Sequence, residues 1–304
     1  MRKIAAIDIG TNSVRLMIAS GEKEISEREK YVNICKLGQG VDKQGIISDE
    51  AMKKSVSAVK KFVDMANKSN ADEIYIIGTA ALRDSANRDE FVKLTKKETG
   101  VDVNIVDGKR EATLGFLGAV GGIKKDGYVL VLDIGGGSTE FILGSKSSVM
   151  FSESVNIGAL RLTERHISDK NLPISSYEKQ LIRKDVINST KKIIDRIKQY
   201  PLTDLIVIGG TATSYAAMLM ELETYEPDKV QGFKMSLAQI TDLTDKLASM
   251  NLAERMNVKG LQKERADIIV TGGTILSTVI SELYQNMAMV SDFDNLEGVF
   301  YFYS

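Results

Sequence analysis

The chain is 304 residues long, 43% hydrophobic and 27% charged, with a formal net charge of −1. Those values fit one large or two medium globular domains. They exclude a generally basic surface for nucleic acid, so affinity for any polyanion has to come from local charge and backbone amides. A single cysteine, Cys35, and a single histidine, His166, exclude an internal disulfide and leave little for a zinc site. With no apolar run of about 18 residues and no cleavage-site pattern after Met1-Arg2-Lys3-Ile4, a cytoplasmic chain without membrane association is expected.

In chain order, 4–9 and 14–19 are apolar β-prone runs, and a more polar third strand is predicted around 24–35. A helix over 49–68 follows, with Met52, Val56, Val59, Phe62, Val63 and Ala66 on one face and Ser48 as N-cap. The run 73–78 reads as a buried strand. Asn87 and Glu90 stand at capping-box spacing before another helix. A strand is predicted over 101–106, then a helix over 111–120 with Phe116, Leu117 and Val120 on one side. The second half repeats the order, with strands over 128–133, 140–143 and 147–154. A long helix over 176–199 is entered through Ser175 and Glu178, and a strand over 204–210 ends in glycines. The spacing of Ser236 and Gln239 predicts a helix over 236–250. A last strand over 266–270 is expected to turn at Thr271-Gly272-Gly273-Thr274 into an apolar helix from Ile275. This duplicated order predicts an α/β fold with a boundary at the glycine-rich 121–126.

The duplication carries a short motif twice. Asp8-Ile9-Gly10-Thr11-Asn12-Ser13 and Asp133-Ile134-Gly135-Gly136-Gly137-Ser138-Thr139 each follow one β-prone run and precede another. A Walker loop or a dinucleotide fingerprint needs a helix after the glycines, and here a strand follows and no Gly-Lys-Ser/Thr is present. The remaining reading is a β-hairpin whose turn amides and hydroxyls form an anion nest. A carboxylate beside bound phosphate is repulsive unless a cation bridges them, as Mg²⁺ does. Glu140, seven residues after Asp133, lies just across the same hairpin and offers a second carboxylate. Seven residues after Asp8 the chain has Arg15 instead.

The chain resembles the Ppx/GppA family of exopolyphosphatases and guanosine pentaphosphate phosphohydrolases. The resemblance rests on Asp8-Ile9-Gly10-Thr11-Asn12-Ser13, Gly78-Thr79-Ala80-Ala81-Leu82-Arg83, Arg110-Glu111-Ala112, Asp133-Ile134-Gly135-Gly136-Gly137-Ser138-Thr139-Glu140, Gly158-Ala159-Leu160-Arg161-Leu162-Thr163-Glu164 and Glu264-Arg265-Ala266-Asp267-Ile268-Ile269. It implies two ribonuclease-H-like lobes, an actin-like ATPase duplication, around a central cleft. One lobe is expected over 1–122, completed by 290–304, and the other over 123–289. Two positions depart from the family pattern. Arg110 replaces an acidic residue and is expected to add positive charge near the cleft, and Gln231 stands where relatives often carry a histidine. Longer relatives append a C-terminal helical region; a short-form member is expected here.

The resemblance implies Glu111 as the catalytic carboxylate that takes a proton from the attacking water. It also implies Thr11, Asn12, Ser13, Arg83, Gly136, Gly137 and Ser138 as phosphate-binding residues, with Asp133, Glu140 and, through water, Asp8 around Mg²⁺ or Mn²⁺. The expected reaction is release of terminal phosphate from polyphosphate, with conversion of pppGpp to ppGpp as a further activity. A role for K⁺ and a homodimer are left open. Two other readings stand beside it. One is an ATP-dependent sugar or acid kinase of the same superfamily, with adenosine held near Gly209-Gly210-Thr211 and Thr271-Gly272-Gly273-Thr274. The other is a sensor that binds nucleotide or polyphosphate without hydrolysing it.

Overall fold

The computed structural model describes residues 2–122, 127–145 and 148–303. The chain divides into two compact units, Met1–Gly121 with Phe293–Ser304, and Gly122–Asp292. The first unit contains β1 (Arg2–Ile9), β2 (Ser13–Gly21), β3 (Ile25–Ile34), α1 (Val41–Gln44), α2 (Asp49–Lys68), β4 (Glu73–Gly78), α3 (Ala80–Asp84), α4 (Arg88–Thr99), β5 (Val103–Ile105) and α5 (Gly108–Gly122). The second contains β6 (Tyr128–Ile134), β7 (Thr139–Ser145), β8 (Ser148–Val155), α6 (Ala159–His166), α7 (Ser176–Ile197), β9 (Leu202–Ile208), α8 (Gly209–Leu219), α9 (Pro227–Val230), β10 (Lys234–Ser236), α10 (Leu237–Ala248), α11 (Leu252–Arg255), α12 (Ile269–Glu282) and β11 (Met287–Val290). The chain then returns to the first unit as α13 (Asn295–Tyr303). Of the expected linker, 123–126 lies outside the described residues, as does Ser147 of the expected third strand.

The two sheets share the order of five strands, and the second adds β10 at its edge. The first is β3-β2-β1-β4-β5, and the second reads β8-β7-β6-β9-β11-β10 from the matching edge. In each, the opening meander is antiparallel and the next strand joins the first in parallel. This is the ribonuclease-H-like order, present twice.

Period-2 alternation along β1 decides what each face meets. Ala5, Ile7 and Ile9 pack with Met52, Val56, Val59, Phe62 and Val63 of α2. Ile4 and Ala6 pack on the opposite face with Leu296, Val299 and Phe300 of α13. Asp8 and its register partner Arg15 fall in phase with this second set. In β6, Leu130, Leu132 and Ile134 join the core with Ile182, Val186 and Ile193 of α7 and with α12. Asp133 and its partner Glu140 are out of phase with that core.

Several predicted elements are corrected by the structure. No strand forms over 266–270: α12 begins at Ile269 and contains Thr271-Gly272-Gly273-Thr274 within it. There the glycines serve helix packing, because side chains on them would overlap Thr211 and Tyr215 of α8. Gly209 and Gly210 open α8 rather than close β9. Asn87 makes no side-chain cap to α4. Its amide instead bridges both backbone groups of the buried Ile47, each at 2.9 Å. β5 shortens to Val103–Ile105. α5 starts at Gly108 and buries Ala112, Leu114, Phe116 and Ala119, leaving Leu117 and Val120 only partly covered.

Candidate active site

The second hairpin loop is held from behind. Gly135 O accepts from Ala159 N at 2.9 Å, and Gly136 O accepts from Leu160 N at 2.9 Å and Arg161 N at 3.0 Å. Gly137 O accepts from Arg161 Nε at 2.7 Å. In a trans peptide each carbonyl points opposite to the next amide. Three carbonyls tied toward α6 therefore turn the N–H groups of Gly136, Gly137 and Ser138 the other way. None of the three donates to a protein acceptor among the described residues. Successive amides aimed at one side form an anion nest. The close approach of α6 depends on Gly158, where a Cβ would stand 2.5 Å from Gly136 C and O.

Beside this nest, Asp133 and Glu140 are directly opposed across β6 and β7 and are only 8% and 2% exposed. Side chains so paired share one face. Ser154 of β8, opposite Glu140, donates its hydroxyl to Glu140 Oε1 at 2.7 Å. Gly209 has φ +83, and a Cβ there would overlap Asp133 Oδ1, so only glycine lets the β9–α8 turn pass the carboxylate. Two adjacent buried carboxylates suit a hard divalent cation that takes one or two carboxylates and fills its shell with water and phosphate oxygens. No group of three or more acidic, His or Cys ligands occurs among the described residues, so Asp133 and Glu140 are the two carboxylates available to a cation here.

The first loop is braced in a related way. Thr11 O accepts from Gly38 N at 2.9 Å, and Asn12 O accepts from Cys35 N at 3.1 Å and Lys36 N at 2.8 Å, turning the Asn12 and Ser13 amides away from that segment. Thr11, Asn12 and Ser13 are all buried. Asn12 buries both its amide nitrogen and its oxygen without a hydrogen-bond partner. Asp8 does not stand alone: Arg15 Nε and Nη2 hold its Oδ2, while its buried Oδ1 has no partner. Burial raises the Asp8 pKa, and Arg15 opposes that rise. Arg15 also pairs with Asp294, which caps α13 by accepting from Leu296 N at 3.0 Å. Burial pushes Asp294 up, but Arg15, Lys30 and that amide win and hold it down at about 2.

Glu111 is 6% exposed at the start of α5. Arg83, expected on phosphate, donates through Nη1 to Glu111 Oε2 at 2.7 Å and to Val106 O at 3.3 Å. The candidate base and the candidate phosphate cation are thus paired with each other. Arg110, expected to add charge to the cleft, is directed elsewhere. It donates to Tyr303 OH at 2.8 Å and its guanidinium lies 4.4 Å from the Phe302 ring centroid, so it fastens α13. Gln231 Oε1 accepts from Asp292 N at 2.7 Å and has a structural role in the same unit. Sequence reasoning assigned no part to Ser154, Asp294 or Arg161. Counting register from Asp133 through Glu140 to β8 finds Ser154, and Arg161 lies in the family motif Gly158–Glu164 without a role attached; Asp294 leaves no comparable signal.

A duplicated strand order, with a hairpin loop of braced carbonyls and buried carboxylates in each unit, defines a two-lobed α/β protein of the ribonuclease-H-like class. The match of residues 16–303 to the family model for the Ppx/GppA phosphatase family places the chain in that family, as a hydrolase of phosphoanhydride bonds. It is 34% identical, over 97% of its length, to the bifunctional 3-dehydroquinate synthase/phosphatase of Fusobacterium nucleatum, and it spans 45% of that protein. It is 29% identical to exopolyphosphatase 2 of Mycobacterium tuberculosis over 98% of both chains. The crystal structure of an exopolyphosphatase from Cytophaga hutchinsonii superposes with a TM-score of 0.89 at 28% identity, covering 99% of this chain and 97% of that one.

Proposed function

We propose that this protein is an exopolyphosphatase that releases terminal phosphate from polyphosphate and also converts pppGpp to ppGpp. The observation that carries the reading is the Gly136–Ser138 nest beside the buried Asp133–Glu140 pair. Amide donors bind phosphate oxygens without net charge, which suits a chain of net charge −1. Exopolyphosphatase names among full-length relatives support the substrate class.

In this reading Asp133 and Glu140 hold Mg²⁺ or Mn²⁺, and Ser154 fixes the Glu140 carboxylate. When bound, the cation supplies neutralisation of phosphoryl charge. The first-unit loop is read as an anion site of its own, in which Asn12, whose orphaned amide suits a phosphate oxygen, stands with Thr11 and Ser13. Asp8, clamped by Arg15 through one oxygen, keeps its other oxygen for a bound water in that loop. Arg83 shields Glu111 until a phosphoryl group competes for the guanidinium, a charge-assisted exchange. Glu111 then accepts the proton of the attacking water.

The test is phosphate release from short polyphosphate, long polyphosphate and pppGpp in parallel, with Mg²⁺, with Mn²⁺ and after chelation. Activity is expected only with the divalent ion, and inactivity on all three substrates would overturn the proposal. Adding K⁺, and sedimenting the active species, tests the monovalent-ion and homodimer expectations. The kinase reading has less support, because Gly272 and Gly273 are helix-packing residues against Thr211 and Tyr215. A sensor without turnover would bind tripolyphosphate and release no phosphate.

A further inference from the structure

The segment Gly158-Ala159-Leu160-Arg161 belongs to the family pattern, yet the chemistry above gives Arg161 no role. Its place in the loop is distinctive. The carbonyls of Gly135 and Gly136 are held by backbone amides of α6, which any residue supplies. The Gly137 carbonyl is held by a side chain, through Arg161 Nε at 2.7 Å. That bond fixes the peptide between Gly137 and Ser138, and so the direction of the Ser138 N–H.

We propose that Arg161 is the positioning residue of the second phosphate loop, orienting the Ser138 amide toward the phosphate chain. The inference rests on the reading of this loop as the phosphate site. Gly137 has no Cβ, so its peptide turns over at little steric cost. Without the guanidinium, a flip would replace an N–H donor by a carbonyl oxygen facing an anion. A donor becomes a repulsive acceptor, and the loop loses more than one hydrogen bond. Arginine suits the task because Nε sits in a planar, fixed fork, whereas a lysine ammonium swings on a flexible stem. Arg161 acts through the loop and is not assigned a contact with the reacting atoms.

The experiment compares wild type, Arg161→Ala, Arg161→Gln and Arg161→Lys. Tripolyphosphate binding is followed by calorimetry with Mg²⁺, KM and kcat by phosphate release, and the Ser138 amide resonance by ¹⁵N NMR without ligand. Arg161→Ala is expected to weaken tripolyphosphate binding and raise KM by about ten-fold, the scale of one charge-assisted hydrogen bond. Its melting temperature should hold and the Ser138 resonance should move. Arg161→Lys should recover part of the affinity and Arg161→Gln less. If Arg161→Ala does not fold, the Gln and Lys variants carry the same ordering. Unchanged KM and binding in the variants overturns the inference while leaving the phosphate reading intact. Weakened binding with an unmoved Ser138 resonance also overturns it, since that marks a direct ligand contact. A wild-type chain that binds no tripolyphosphate removes both readings.

Discussion

Arg83 and Glu111 are held 2.7 Å apart, and that pairing shapes what substitutions at this pair should do. Glu111→Gln keeps an oxygen acceptor for Arg83 and removes the proton acceptor. Turnover is expected to fall by about 10²–10⁴-fold with tripolyphosphate binding retained; near-normal phosphate release would remove Glu111 from the base role. Gly209→Ala is a sharper probe of the carboxylate pair. Its φ of +83 costs a non-glycine residue about 1–2 kcal/mol, and the added Cβ presses on Asp133 Oδ1. Lower stability and a higher Mg²⁺ requirement are expected together, read by thermal melts and by metal titration of activity. A variant with unchanged metal dependence would mean that Asp133 does not hold the cation.

At the scale of elements, caps and strand register organise the chain. Glu178 completes the capping box of α7 with Ser175 and also accepts from Ser168 N at 3.0 Å. Burial pushes its pKa up, but the backbone and hydroxyl donors of Ser168 and Ser175 overcome this and lower it from 4.5 to about 2. The folded value lies below the ordinary one. Its stabilisation is therefore complete above pH about 4.5 and lost as pH falls toward about 2. Glu178→Gln is expected to lower stability at neutral pH by about 1 kcal/mol, the usual worth of such a cap. It should also flatten the acid limb of the stability curve in that window. Urea melts at pH 7 and in that acid range check both parts, and parallel acid limbs would contradict the assignment.

At the scale of the whole molecule, the first unit is built from both ends of the chain. Leu296, Val299 and Phe300 cover one face of its sheet. Asp294 and Glu297 meet Arg15, Arg28 and Lys30 from the strands, and Arg110 clasps Tyr303. Deleting 293–304 would remove the burial of three apolar side chains, each worth about 1.5–3 kcal/mol, uncover the sheet face they pack on, and take Asp294 and Glu297 away from the part-buried Arg15, Arg28 and Lys30. A large drop in melting temperature is expected, with recovery when the 293–304 peptide is supplied in trans. A deletion with wild-type stability would show that the first sheet does not depend on α13.

The local order of elements was legible in the sequence because it follows from neighbours. The apolar face of 49–68, the capping boxes at Ser175 and Ser236, and the two strand–loop–strand motifs rest on periodicity and turn chemistry within a few residues. The candidate residues Asp8, Asp133 and Glu140 were legible for the same reason, as acidic residues at fixed offsets from glycine turns, whereas Glu111 was reached only through the family resemblance. Thr271-Gly272-Gly273-Thr274 reads locally as a turn, and only the approach of Thr211 and Tyr215 makes it the inside of a helix. Likewise the pairing of Arg83 with Glu111, the removal of Arg110 to the aromatic end of α13, and the bond from Arg161 to Gly137 join residues far apart in the chain. Such contacts are selected by packing rather than by local propensity, so they were decided only when the strands took their register and the last helix returned to the first sheet.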